Sequence, residues 1–245
     1  MADRDKKALR PGSARPACAN KILSGLPDVS RRPLISLMER ISLRSRQILH
    51  PHDKPLKFVF FPCDALVSVL MRSNGKTVEV AMVGNEGFFG LPVLFGTEKC
   101  PMAALVQVAG EAYRMPVRDF KRVLQADPYL KTELGKYAQA YSVMLGQTAV
   151  CFSAHMVEQR CAKWLLMAHD RLQADEFPMT QEFLAQMLGV RRSTVNEIAD
   201  RMRSEGLIRY RQGRITIADR AGLEALTCSC YGVIRNEFEQ SPVLV

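Results

Sequence analysis

No apolar run in this sequence approaches the ~20 residues needed to span a bilayer, so no membrane-spanning helix is expected. The first residues are charged and contain no apolar stretch of the kind a secretory leader carries, so the expected location is cytoplasmic. There is no P-loop, no nucleophile elbow and no pair of carboxylates in a glycine-rich setting, so no catalytic residue is expected. The seven cysteines are Cys18, Cys63, Cys100, Cys151, Cys161, Cys228 and Cys230; none form C-x-x-C, and no Cys/His set has zinc spacing. In a cytosolic chain they are expected to be free thiols, with Cys151 and Cys161 packing as small apolar residues. Cys228 and Cys230 form the only close pair, and thiols at i, i+2 on a helix point apart. The four histidines, His50, His52, His155 and His169, show no partner pattern. No metal, haem or other cofactor is therefore expected. There is also no internal repeat.

The chain carries a net charge of +9 over 245 residues, which suits a polyanionic partner. The excess is uneven. Much of it lies before residue 58, whereas the segment from residue 179 to 219 offsets its arginines with Glu197, Asp200, Glu205 and Asp219. Bulk charge is therefore weak support for any one partner. Residues 1–20, rich in Arg, Lys, Pro, Ala and Ser, read as a disordered tail.

The most informative segment is Met179–Ile217. Thr180 suits a helix N-cap, and Gln181 and Glu182 suit the first turn. Ala185 is small where two helices would cross closely, and Gly189 can take the left-handed turn that ends the first helix. Val190 plugs the corner. Val195, Ile198 and Met202 recur at three- and four-residue spacing, the buried stripe of a second helix. Arg191, Arg192, Ser193, Thr194, Asn196 and Glu197 are left on its outer, N-terminal part, where a recognition helix meets the DNA major groove. Gly206 ends that helix. Residues 207–217 then alternate around Gln212-Gly213 like a hairpin, a basic wing carrying Arg209, Arg211 and Arg214. A plain helical pair in a core is the competing reading, but residue types and spacing agree in order along the whole segment.

Upstream, Lys21–Ser45 reads as short helices, and Gln47–Pro116 as short strands with frequent turn signals. Asn74-Gly75 marks a hairpin of type I′, and Gly84–Gly87 another turn. Such a pattern indicates a small barrel or roll. Val117–Leu124 reads as a short helix and Pro128 opens a long one. In it Leu130, Leu134, Tyr137, Tyr141, Met144, Thr148 and Cys151 alternate at four and three, the seam of a coiled coil. A second row, Ala138, Leu145, Ala149 and Phe152, widens the apolar face, so one row can meet a partner helix while the other covers the roll. A buried core helix is the alternative reading. His155–Leu172 is a further amphipathic helix, Asp175–Pro178 a loop, and Asp219 to about Phe238 a final helix.

Roll, long helix and winged helix-turn-helix in this order resemble the Crp/Fnr family of bacterial transcription regulators, over about residues 21–226. The resemblance is strongest at residues 180–208 and in V-E-Q-R-C-A-K-W-L-L, residues 157–166. It implies an α+β fold. After the tail at 1–20 would come a double-stranded β-helix, a jelly-roll-like sensor domain of the cyclic-nucleotide-binding type, at 21–126. A dimerisation helix at 127–154 and a winged helix-turn-helix domain with a C-terminal helix at 155–245 would follow. It further implies a homodimer on a pseudo-palindromic operator in double-stranded DNA, with RNA polymerase as a partner and a small-molecule effector of unknown identity. The dimer contacts would be Leu130, Leu134, Tyr137, Tyr141, Met144 and Thr148.

In family members that bind cyclic AMP, a turn of the roll presents Gly-Glu, and a later strand presents Arg before Ser/Thr-Ala. Here Gly90 matches, but Leu91 stands at the Glu position, followed by Pro92 and Val93. Met102, before Ala103, falls about where the Arg should be, and Leu145 and Gly146 replace the Thr-Ser pair that contacts the base. An apolar site desolvates a phosphate without compensation, so cyclic AMP is not expected to bind in the familiar mode. The pocket of Gly90, Leu91, Pro92, Val93, Met102 and Ala103 would take something apolar, another effector, or nothing. The clustered N-terminal cysteines of the iron–sulfur sensors are missing too, since Cys18 stands alone.

The resemblance places a guanine-reading Arg at Arg192, whose paired donors fit O6 and N7. The next position, commonly a Glu that reads C, is Ser193, which puts the usual family half-site in doubt. Thr194 matches a phosphate contact. Arg191 and Asn196 are further candidates, with Asn suited to adenine; for Arg191 a solvated charge is an equal reading. Arg209, Arg211 and Arg214 would neutralise phosphates. The rival to a DNA-binding regulator is an effector-binding signalling module that works through protein contacts with a vestigial DNA domain. The arginines of the helix and wing argue against it.

Overall fold

A computed structural model describes residues 18–240 of the chain. It begins with two short helices, α1 (Lys21–Gly25) and α2 (Asp28–Ser36). The roll follows, with β1 (Glu39–Leu43), β2 (Ile48–His50), β3 (Lys54–Pro55), β4 (Phe58–Pro62), β5 (Leu66–Ser73) and β6 (Lys76–Val83). A single-turn helix α3 (Leu91–Leu94) precedes β7 (Lys99–Cys100), β8 (Ala103–Val108) and β9 (Gly110–Pro116). The strands form antiparallel sheets of order β1-β9-β4, β2-β8-β5-β6 and β3-β7. β5 and β6 join at Asn74-Gly75, both with positive φ, as the hairpin signal predicts. The helical reading of Lys21–Ser45 ends at Ser36. Residues 39–43 form a strand because Leu43, with Ile41 beside it, closes a small apolar cluster with Ala65, Val106 and Ala112.

Two expectations for the N-terminal segment need correction. Residues 1–17 lie outside the described residues, but residues 18–20 are not a free tail. Asn20 is fully buried; its side-chain amide donates to the carbonyls of Pro62 and Gly87, each at 2.8 Å, and its oxygen caps α1 by accepting from Leu23 N. These bonds hold the chain against the end of β4, where Cys18 and Cys63 are joined as a disulfide, Cα to Cα 4.9 Å. Seven free thiols were therefore too many: Cys100, Cys151, Cys161, Cys228 and Cys230 are free, and all five are buried.

α4 (Val117–Ala126) leads to the 27-residue α5 (Pro128–Ala154). Asp127 caps α5 by accepting from Leu130 N at 3.0 Å, and Pro128 occupies its first turn, where no N–H is needed. The expected coiled-coil seam is also corrected. Leu130, Leu134, Tyr137, Tyr141 and Met144 are 0–6% exposed within a single chain, and Thr148 is half-buried. Tyr137 packs on Phe88 of the roll and on Phe238, and its hydroxyl donates to the Phe88 carbonyl at 3.3 Å. This row covers the chain's own core, so it leaves no surface for a partner. The opposite face of α5 is exposed, along Gly135, Gln139, Ser142, Gly146 and Val150.

The C-terminal part consists of α6 (Val157–Leu172), β10 (Glu176–Pro178), α7 (Gln181–Leu188), α8 (Arg192–Ser204), β11 (Ile208–Arg211), β12 (Arg214–Ile217), α9 (Arg220–Leu226) and α10 (Ser229–Glu239). Residues 176–178, expected as loop, pair with β12 to give a sheet of order β10-β12-β11, with Phe177 filling the core. The single final helix is broken in two, because Thr227 and Cys228 adopt extended backbone and Cys228 becomes the N-cap of α10. No helix among the described residues is long and apolar enough to cross a membrane.

Candidate nucleic-acid interface and sensor cavity

Thr180 caps α7 by accepting from Phe183 N at 3.2 Å. Gly189 ends that helix at φ 67°, the left-handed conformation that turns the chain with little strain only at glycine. α8 then buries Val195, Ile198, Ala199 and Met202 against the rest of the domain. Burial of roughly 1.5–3 kcal/mol per large side chain fixes which face is left outside. Arg191, the N-cap of α8, is exposed, as are Arg192 and Ser193, and Thr194 is partly so. Among the described residues no side chain caps the helix, so its first N–H groups and positive dipole end face outward with the two arginines.

Beside it, β11 and β12 join through Gln212-Gly213, both at positive φ, a tight hairpin turn. Tyr210 fixes the wing to the start of α7: its hydroxyl donates to the Met179 carbonyl at 2.9 Å and accepts from Gln181 N at 3.2 Å. Arg209 and Arg211 stand exposed on this hairpin. Two expected contacts fit less well. The Arg214 guanidinium is bonded to Glu176 on the neighbouring strand and holds that carboxyl below its ordinary range, so Arg214 must exchange a partner to reach phosphate. Asn196 is half-buried with its Oδ1 shut off from solvent and unpartnered among the described residues, so it cannot accept from an adenine amino group in this rotamer.

In the roll, Gly90 stands at φ 140°, and a Cβ there would come 2.5 Å from Cγ1 of Val59. Leu91, Val93 and Ala103 are buried, and Met102 packs against the core. Leu91, Pro92 and Met102 close with Phe88, Phe89 and Tyr141 around a cavity of about 20 Å³. That is room for about one water, against the several hundred Å³ of a small-molecule pocket. Among the described residues, no charged side chain lines it.

A Crp-like helix-turn-helix domain model matches residues 159–226, and a cyclic nucleotide-binding domain model matches residues 40–127; together they cover more than half of the chain. The chain belongs to the Crp/Fnr family. It is a Crp/Fnr-type transcription regulator with a helix-turn-helix DNA-binding domain. No curated protein sequence matches it. Among solved structures, FixK2 from Bradyrhizobium japonicum is similar at TM-score 0.67 and 17% identity, covering 78% of this chain and 98% of its own. The c-di-GMP-responsive global regulator CLP from Xanthomonas campestris gives 0.65 and 13%, with 79% and 100% covered. A Crp/Fnr-family regulator from Thermus thermophilus gives 0.63 and 21%, with 77% and 97% covered. At these identities the likeness speaks for the fold.

Residues missed by sequence reasoning tie this regulator's two domains together. Trp164 Nε1 on α6 donates to Glu79 Oε1 on β6 at 2.7 Å, in a buried setting. Burial pushes the Glu79 carboxyl up to about 7, against the opposing pull of bonds from Ser68 and Trp164 and the charges of Arg171 and Lys163. Arg171 Nε donates to Glu86 Oε1 at 2.8 Å, both nearly buried, joining the end of α6 to the turn after β6. The available signal was charge inside the apolar stripe of α6, at Arg160, Lys163 and Arg171, all buried in the fold.

Proposed function

We propose that this chain is a homodimeric, sequence-specific DNA-binding regulator acting on a pseudo-palindromic operator in the cytoplasm, by binding rather than catalysis. The observation that carries the reading is the exposed first turn of α8, Arg191 to Ser193, on a helix whose opposite face is locked into the core. Arg192 reads a guanine, Thr194 and the wing residues Arg209 and Arg211 meet phosphates, and Ser193 leaves its neighbouring base pair loosely read. The second subunit meets the exposed face of α5, where Gly135, Ser142 and Gly146 allow two helices to approach closely. Two such subunits present their helices one DNA turn apart, about 34–36 Å. RNA polymerase is the partner on which the bound dimer acts.

The roll of this regulator does not take cyclic AMP in the familiar mode. Its small, apolar cavity and the leucine at position 91 support that reading. Selection of bound sequences from a genomic or randomised library tests the proposal. A palindromic consensus supports it; a chain that retains no DNA at low salt favours a signalling module working through protein contacts.

A further inference from the structure

Four metal-ligating side chains converge behind the junction of long helix and DNA-binding domain. Cys151 lies in the last turn of α5, and His155, its C-cap, follows four residues later on the same side. Cys228 is the N-cap of α10 and Cys230 sits in its first turn. Because Cys228 lies outside the helix, the two thiols do not diverge as two helical residues at i, i+2 would. The donor atoms of all four residues lie within 4.8 Å of one another. Cys151 Sγ is 3.5 Å from Cys228 Sγ, and Cys230 Sγ is 3.6 Å from His155 Nδ1. With metal–sulfur bonds of about 2.3 Å and metal–nitrogen bonds of 2.0–2.1 Å, a tetrahedral zinc ion spaces sulfurs about 3.8 Å apart and sulfur from nitrogen about 3.6 Å. The two observed spacings are close to those edges.

We propose that Cys151, His155, Cys228 and Cys230 form a mononuclear site for a soft divalent cation of the zinc type, fastening α10 to the end of α5. Three sulfurs and one imidazole nitrogen are a donor set that selects zinc over hard cations. The three cysteines form a buried cluster apart from the main core, so packing of that core does not account for them. The Lys163 side chain, itself buried, lines the same small cavity as Cys151. A divalent ion with three thiolates and a neutral imidazole carries one net negative charge, and the Lys163 ammonium offsets it. The site spans residues 151–155 and 228–230, so it holds the C-terminal helix at the point where α5 gives way to α6.

The test uses the full chain, purified under reducing conditions, stripped with chelator and then titrated with zinc or cobalt. The expected result is one equivalent of metal per chain. Cobalt should give the intense visible bands of a tetrahedral ion and the near-ultraviolet thiolate-to-cobalt band. Zinc should raise the melting temperature of the stripped protein. C228S and C230S should lose the cobalt spectrum, while H155A, altering a half-buried residue, should fold and weaken cobalt binding roughly tenfold or more. C100S and C161S should behave as wild type. Reduced wild-type protein that takes up neither metal would overturn the site, as would C228S and H155A binding cobalt as wild type does. Finding Cys151 and Cys228 joined as a disulfide in metal-saturated protein would overturn it as well.

Discussion

Trp164 and Glu79 meet across the interface of the two domains, indole N–H to carboxylate oxygen at 2.7 Å, with both residues under 7% exposed. Burial of Glu79 at this contact makes domain packing sensitive to protons. Glu79 titrates near 4.5 when solvated and at about 7 in the fold, chiefly because burial disfavours its charge. The folded state therefore holds a proton that the unfolded state releases between these values. This contribution to stability is full below about pH 4.5 and is lost as pH rises through about 7, roughly 3 kcal/mol in all. Glu79→Gln keeps an acceptor for Trp164 and cannot ionise. Urea unfolding at pH 5 and pH 8 should show a smaller loss in the variant than in wild type. Equal losses would remove Glu79 from the account.

The second link between the domains is ionic. Arg171 and Glu86 are buried together, and Arg171 also donates to the Met167 carbonyl and lies over the Phe238 ring. Arg171→Met leaves the buried Glu86 carboxylate, still accepting from Gly84 N, without its Arg171 counter-charge and should cost about 3–5 kcal/mol in denaturant unfolding. Arg171→Met with Glu86→Leu should cost clearly less than the single change. A double variant as unstable as the sum of the two singles would mean the pair is not coupled.

Cyclic AMP should leave the melting temperature unchanged. A ligand at a hundred times its dissociation constant stabilises the native state by about 2.7 kcal/mol, a shift that is easily seen. The cavity between Leu91, Met102 and Tyr141 holds about one water and has no cation for a phosphate. A clear thermal shift at millimolar cyclic AMP would contradict that reading.

Dimerisation should fail when the exposed face of α5 is blocked. Gly146→Arg places a long charged side chain where a Cβ would meet no atom of the described residues within 4 Å beyond its own stretch of helix, so the subunit should fold and sediment as a monomer. An unchanged dimer would move the interface elsewhere.

Local signals were legible. Asn74-Gly75, the Thr180 cap, the Gly189 turn and the stripe of Val195, Ile198 and Met202 lie within a few residues of the structure they cause. The role of Leu130 to Met144 was not legible, because four-three spacing shows that a row is buried but not which surface buries it. The same limit hid the Cys18–Cys63 pairing, 45 residues apart in sequence, and the approach of Cys151 to Cys228. Arg192 and Arg211 were placed on exposed elements by local pattern alone, but what they read depends on the DNA.

The most direct test of DNA reading by this regulator is binding of Arg192→Ala and Arg211→Ala proteins to a randomised-site library at two salt concentrations. Arg192→Ala removes a paired donor to guanine and should cost ~1–3 kcal/mol while relaxing choice at one base pair per half-site. Arg211→Ala should weaken all sequences alike and flatten the salt dependence, because a phosphate contact carries no base information. A palindromic consensus that loses one G·C in the first variant and keeps its pattern in the second is the predicted result. Uniform weakening by Arg192→Ala with altered preference in Arg211→Ala would reverse reader and clamp, and no change in either would mean that this face does not meet DNA.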